Sequence, residues 1–317
     1  MLIHMLFDWL FSLFNFWFIG GLYLDGWAHN HLDLSAEGFF TPWHAAFYSG
    51  FFLSALILFL YRKKLPQEYR ASLWGAGIFF LGGMGDMIWH TLFGVEADVE
   101  ALLSPTHLIL ALGGTMMVGG AMRSIWSEDA NKKTFLQRLP ALLSFLYFYS
   151  FLTFMNQYLS PISHPWSAIS QRTQDEFFAQ AMGFGGMFVH VALLMGMVLP
   201  VLRRWEFPRG GFTVILTLNT LAMAFMKDHF QFVLPAFFAG LLIDVLYQYL
   251  KPRMEKRWIF GIFAFTMPFI QYGLYYGTVA LTEGIWWSIH LWAGAIVLAG
   301  VAGWLLSQVI WESDKSL

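Results

Sequence analysis

Runs of about twenty mostly apolar residues recur along the whole chain, and basic residues follow every second run. A helix needs about 20 such residues to cross the hydrocarbon core of a bilayer. The runs cover 3–24, 40–61, 72–92, 102–122, 139–159, 177–201, 211–227, 231–250, 258–280 and 285–310. They predict an all-α polytopic membrane helix bundle of about ten transmembrane helices. The break between the seventh and eighth runs, Lys227-Asp228-His229, is very short. The longest connections, 123–138 and 160–176, leave no room for a separate soluble domain, so 1–317 reads as one integral membrane domain. The N-terminus has no basic n-region and no A-x-A cleavage site, and reads as a first span rather than a signal peptide.

The basic residues set an expected orientation. Arg62, Lys63, Lys64 and Arg70 follow the second run, and Arg123, Lys132, Lys133 and Arg138 the fourth. Arg203, Arg204 and Arg209 follow the sixth, and Lys251, Arg253, Lys256 and Arg257 the eighth. Only Arg172 and Lys227 fall on the opposite side. The positive-inside rule then places both termini in the cytoplasm, with five hairpins pointing outward, as expected in a bacterial inner membrane. Composition agrees. The chain is 58% hydrophobic and 12% charged, where a soluble domain carries about 25% charged residues. A net charge of -2 argues against nucleic acid as a partner. With no cysteine, thiolate metal sites, iron–sulfur clusters and disulfides are excluded.

Acids and histidines gather on the outward side, at Asp25, His29, His31, Asp33, Glu37 and His44, then at Asp86, His90, Glu96, Asp98, Glu100 and His107. Depletion of Lys and Arg from outer loops accounts for part of the acidity, but not for the histidines. The first two hairpins also share an order. Asp25-Gly-Trp-Ala-His29 precedes Glu37-Gly-Phe-Phe-Thr-Pro-Trp-His44, and Asp86-Met-Ile-Trp-His90 precedes Glu100-Ala-Leu-Leu-Ser-Pro-Thr-His107. Glycines follow each second histidine, at Gly50 and at Gly113 and Gly114. The segments 22–50 and 83–114 therefore read as an internal repeat.

Asp and His four residues apart share a helix face. Thr-Pro and Ser-Pro suit a helix start, with the hydroxyl residue as N-cap and Pro at the first helical position. Each hairpin should thus bring an Asp, two His and a Glu together at one depth, just inside the outer interface. Ionisable groups in a membrane usually face a bundle interior or a wet cavity. Imidazole with carboxylate suits zinc, iron, manganese or copper(II). Asp25, His29, His44, Asp86, His90 and His107 are the expected metal ligands. Glu37, Glu100, His31, Asp228, His229 and His290 are candidate further ligands or proton carriers. His31, Asp33, Glu96 and Asp98 also suit a solvated rim or a cation-collecting mouth. His190 reads as a polar contact, Asp244 as either a relay group or a polar contact, and His4 and Asp8 as interfacial. The Met and Trp content is ordinary membrane packing and belt material. No P-loop, dinucleotide fingerprint, G-x-S-x-G or H-E-x-x-H is present.

Residues 22–120 resemble a family of uncharacterised bacterial multi-span membrane proteins that carry D-x-x-W-H followed by T/S-P-x-H. A looser similarity is to the copper-binding subunit of the particulate methane and ammonia monooxygenases. There an Asp-x-x-x-His pair on one helix and a His on the next bind copper. This chain differs in a longer His-to-His spacing, in having two copies and in its added Glu.

Three functions compete. The first is a metal-dependent membrane enzyme, an oxidoreductase resembling a monooxygenase or a hydrolase. It would act on a lipophilic substrate from the bilayer, with copper ahead of iron and zinc because of the motif similarity. The second is a transition-metal or proton-coupled transporter, with Asp244 or His190 continuing a path inward. The third is a haem-binding or accessory subunit of a membrane complex. Partner subunits or a homo-oligomer are compatible with each.

Overall fold

The computed structural model describes residues 2–32, 39–94, 99–127, 134–253 and 255–315. It is an all-α bundle, and each expected apolar run is helical. Among the described residues, eight helices are long and apolar enough to cross a membrane. The chain divides into two compact units, Met1–Tyr158 and Leu159–Leu317.

The first unit contains α1 (Leu2–His31), α2 (Pro42–Tyr61), α3 (Arg70–Phe93), α4 (Glu100–Leu103), α5 (Pro105–Val118), α6 (Gly120–Ser127) and α7 (Phe135–Met155). Helix α1 packs along α2 and α3 along α5, and α7 lies against α1 and α5. The second unit contains α8 (Glu176–Leu202), α9 (Gly211–Phe225), α10 (Val233–Leu250), α11 (Arg257–Thr282) and α12 (Ile289–Lys315). There α9 pairs with α10 and α11 with α12, α10 packs on α11, and α8 on α12. Large apolar side chains such as Leu13, Phe16, Leu56, Leu81 and Leu242 are exposed on the helix exteriors. An apolar exterior over a bundle of this kind matches a lipid-facing surface.

Two runs depart from straight spans. The fourth is broken into α5 and α6, which bend by 47° at Gly119. A break inside a membrane strands backbone groups that lipid cannot satisfy. Here the Ser144 hydroxyl of α7 donates to Val118 O (2.6 Å) and accepts from Met122 N (3.2 Å). Arg123 folds back to donate to Met116 O and Ser72 Oγ, both at 2.7 Å. The seventh run forms only the 15 residues of α9, about 22 Å at 1.5 Å per residue, which is short of a roughly 30 Å core. Asp228, in the break after α9, adopts a left-handed φ of 58°.

The two hairpins of the first unit cross at matched glycines. A Cβ on Gly50 would stand 2.5 Å from Phe18 Cα, and one on Gly113 would stand 2.4 Å from Phe79 N. Likewise a Cβ on Gly21 would meet Phe47 Cα at 2.6 Å, and one on Gly82 would meet Leu110 N at 3.1 Å. These contacts lie in register with the ligand motifs. Gly21 and Phe18 precede Asp25 by the same steps as Gly82 and Phe79 precede Asp86. Phe47 and Gly50 follow His44 as Leu110 and Gly113 follow His107. The absence of a side chain lets the helix backbones touch, and His44 and His107 each lie about one turn from such a contact.

Candidate metal centre

Helix α1 presents Asp25 and His29 one turn apart near its C-terminal end, and α3 presents Asp86 and His90 in the same way. The partner histidines come from helix starts. Thr41 caps α2, accepting from His44 N at 3.1 Å, with Pro42 at the first position. Ser104 caps α5, accepting from His107 N at 3.4 Å, with Pro105 at the first position. Each cap satisfies a backbone N–H that would otherwise be stranded. It also holds the third helical residue, the histidine, in the first turn facing the neighbouring helix.

The result is two triads, Asp25/His29/His44 and Asp86/His90/His107, with the ligating atoms of each within 4.8 Å of one another. In the first, Asp25 Oδ2 is 4.0 Å from His29 Nε2 and 3.7 Å from His44 Nε2. In the second, His90 Nε2 is 3.5 Å from Asp86 Oδ2, and His107 Nε2 is 3.3 Å from Asp86 Oδ1. Two ligand atoms on one tetrahedral metal, each about 2.0–2.2 Å from it, stand about 3.4 Å apart.

The outer nitrogens decide which tautomer is present. His44 Nδ1 lies 2.7 Å from the Phe39 carbonyl oxygen, and His90 Nδ1 lies 3.2 Å from the Gly94 carbonyl oxygen. A carbonyl only accepts, so both Nδ1 atoms carry a proton, and in the neutral tautomer the lone pair is on Nε2. In that tautomer the lone pair faces a carboxylate oxygen, which is also electron-rich. A cation between them removes the repulsion, and His Nδ1–H bonded to a carbonyl is the usual outer partner of a metal-bound imidazole. His107 Nδ1 pairs instead with Ser104 Oγ at 2.7 Å.

The two sites are not equivalent. Asp86 accepts from Thr106 Oγ1 at 2.9 Å, and its side chain is 2% exposed. In the first hairpin Trp43 takes the place of Thr106, and Asp25 Oδ1 is buried with no hydrogen bond among the described residues. The His29 side chain is 25% exposed against 4% for His90, so the first triad is the more open.

The triads adjoin. Ring centroids step from His29 to His44 (6.1 Å), His44 to His90 (6.2 Å) and His90 to His107 (5.8 Å). Phe39 stacks on His44 at 5.1 Å and reaches within 6.2 Å of His90. A tetrahedral ion held by either triad would have three protein ligands and a fourth position left for another group.

The other expected ligands lie elsewhere. Glu37, Asp33, Glu96 and Asp98 fall outside the described residues. Glu100 is exposed at the start of α4. His31 is exposed, stacked on Trp27, with Nδ1 2.9 Å from Trp27 O. Asp228, His229 and His290 belong to the second unit, where no group of three ligating side chains forms among the described residues. His229 Nδ1 lies 2.7 Å from Ile162 O, and Asp228 and His290 are exposed. Asp244 accepts from Phe212 N (3.3 Å), Thr213 N (2.9 Å) and Thr213 Oγ1 (2.6 Å), so it caps α9 from α10. Asp8 accepts from Tyr69 OH at 2.6 Å, which makes it a packing contact of α1. In the connection before α8, burial with nearby Lys227 and His229 pushes the His164 imidazole down to about 4. Thr106, Phe39 and Tyr48 were not among the expected site residues. Their only sequence signal is position, beside His107, five residues before His44 and one turn after it.

No protein-family model, curated protein or solved structure matches the chain.

Proposed function

We propose that this chain is a membrane metalloenzyme whose two Asp/His/His triads form one dinuclear centre. The observation that carries the proposal is the meeting of the triads through His44 and His90, with each set of ligating atoms inside 4.8 Å. The matched caps and glycine contacts favour reading 22–50 and 83–114 as a duplicated metal-binding hairpin. The centre lies near the outward end of the bundle, both termini face the cytoplasm, and a lipophilic substrate reaches the open coordination positions from the bilayer. Copper stands ahead of iron and zinc on the motif similarity, and the ligand chemistry fits all three. When bound, such a metal would supply Lewis-acid or redox chemistry. The protein residues hold it, fix the imidazole tautomers and shield it with Phe39.

Of the two relay residues of the transporter reading, Asp244 is committed to three hydrogen bonds at the start of α9, which leaves that reading with His190. Haem is disfavoured because the Nε2 atoms converge on carboxylates rather than on an open ring face. The test is elemental analysis of the full chain purified gently in detergent. The expected result is about two transition-metal ions per chain, with His44→Ala and His107→Ala each losing one. Metal-free protein that stays folded and does not take up copper, iron or zinc on addition would overturn the proposal.

A further inference from the structure

Tyr48 stands one helical turn after His44 on α2. Its ring packs against Phe39 (5.6 Å), Phe47 (5.3 Å) and Phe79 (6.0 Å), with His44 at 6.2 Å. It crosses to α3, where a Cβ on Gly83 would stand 2.9 Å from Tyr48 Cε1 and 3.2 Å from its hydroxyl. Gly83 lies three residues before Asp86, so the phenol reaches from the first hairpin to the second at the depth of the triads. Its hydroxyl is buried and has no hydrogen bond of good geometry among the described residues. Asp86 lies within side-chain hydrogen-bonding range of it, without good alignment, and Asp25 is also near. The corresponding position in the second hairpin, four residues after His107, is Ala111. One phenol therefore stands beside both triads.

A buried hydroxyl without a well-aligned partner costs free energy, and its aromatic neighbours offer no acceptor. The carboxylates are the nearest acceptors, and in a metal-bound centre each would share its negative charge with an ion and accept more weakly. We infer that the Tyr48 hydroxyl donates a hydrogen bond to a small exogenous anion or oxygen-donor ligand that completes the coordination between the triads. This inference rests on the dinuclear metal reading above. It assigns Tyr48 as the group that binds and orients the ligand, and Gly83 as the position that admits the ring.

The experiment uses the full chain in detergent, loaded with copper(II) and titrated with azide, followed by the azide-to-copper charge-transfer absorption. Tyr48→Phe keeps the ring and its packing but removes the donor. The expected result is two copper ions per chain as in the parent, with azide affinity at least tenfold weaker, the usual effect of losing a hydrogen bond to a charged acceptor. Tyr147→Phe, a buried phenol of α7, serves as the comparison and should leave azide affinity unchanged. Unchanged affinity in Tyr48→Phe with both metals retained overturns the inference and leaves the metal reading intact. Loss of metal from Tyr48→Phe also overturns it, because the phenol would then support the cage rather than the ligand. A parent protein that binds no copper overturns the metal reading and this inference together.

Discussion

Replacing Gly113 with Ala probes how helix packing holds the second triad. A Cβ there would lie 2.4 Å from Phe79 N and 2.7 Å from Phe79 Cα. These are backbone atoms of α3, so no side-chain rotation can relieve the overlap. Reaching an ordinary contact of about 3.5 Å requires α3 and α5 to separate by about 1 Å. Overpacking of this kind costs about 1–3 kcal/mol, partly offset by up to about 1 kcal/mol from the better helix propensity of Ala. The same shift acts on the metal site, because Asp86 and His107 belong to the two separated helices. Their 3.3 Å gap would open by about 1 Å, beyond what one tetrahedral ion holds comfortably. Gly77→Ala on α3 is the comparison, since a Cβ there meets nothing within 4 Å. The assay is chelator competition for bound metal together with thermal unfolding in detergent. Gly113→Ala should melt earlier than Gly77→Ala and lose about one metal, while the first triad keeps its own. Parent-like melting with two metals at parent affinity in Gly113→Ala would refute this reasoning.

Other outcomes follow from single contacts. Thr106→Val removes the donor to Asp86 Oδ1 and should weaken one of the two metals about 10–100-fold; equal weakening of both in a chelator titration would contradict the inequivalence of the sites. Asp244→Ala strands two backbone N–H groups of α9 and should cost about 1–3 kcal/mol in unfolding free energy without changing metal content. His164 has a folded-state value of about 4, below the ordinary 6.5, so the unfolded chain binds the extra proton first. Stability from this group is present above about pH 6.5 and lost as the pH falls towards 4. His164→Gln should therefore flatten the pH dependence of melting in that window, and an unchanged slope would remove His164 as its source.

Hydropathy locates the apolar segments because a bilayer imposes a length and a composition on any helix that crosses it. The triads are legible for a related reason. Asp25/His29 and Asp86/His90 sit at helical spacing, and Thr41-Pro42 and Ser104-Pro105 mark helix starts, so both motifs are local. What sequence misses is non-local. The bend at Gly119 depends on Ser144, a residue from another helix that takes up the freed backbone groups. Asp244 reads as an isolated acid until the start of α9, 31 residues away, folds onto it. Tyr48 is hidden among 34 Phe, 15 Trp and 12 Tyr, and only the packing of α2 on α3 separates it from ordinary core. That Asp86 has a hydroxyl donor and Asp25 does not is likewise settled by which side chain, Thr106 or Trp43, meets the neighbouring helix.

The most direct test of a dinuclear centre is to locate metal in crystals of the protein loaded with copper, zinc or iron, using anomalous scattering at the edge of the metal. The account predicts two peaks per chain. One should lie about 2.0–2.2 Å from the nearest atoms of Asp25, His29 and His44, and the other equally close to Asp86, His90 and His107. Well-ordered crystals of metal-loaded protein with both triads visible and no peak at either would contradict it.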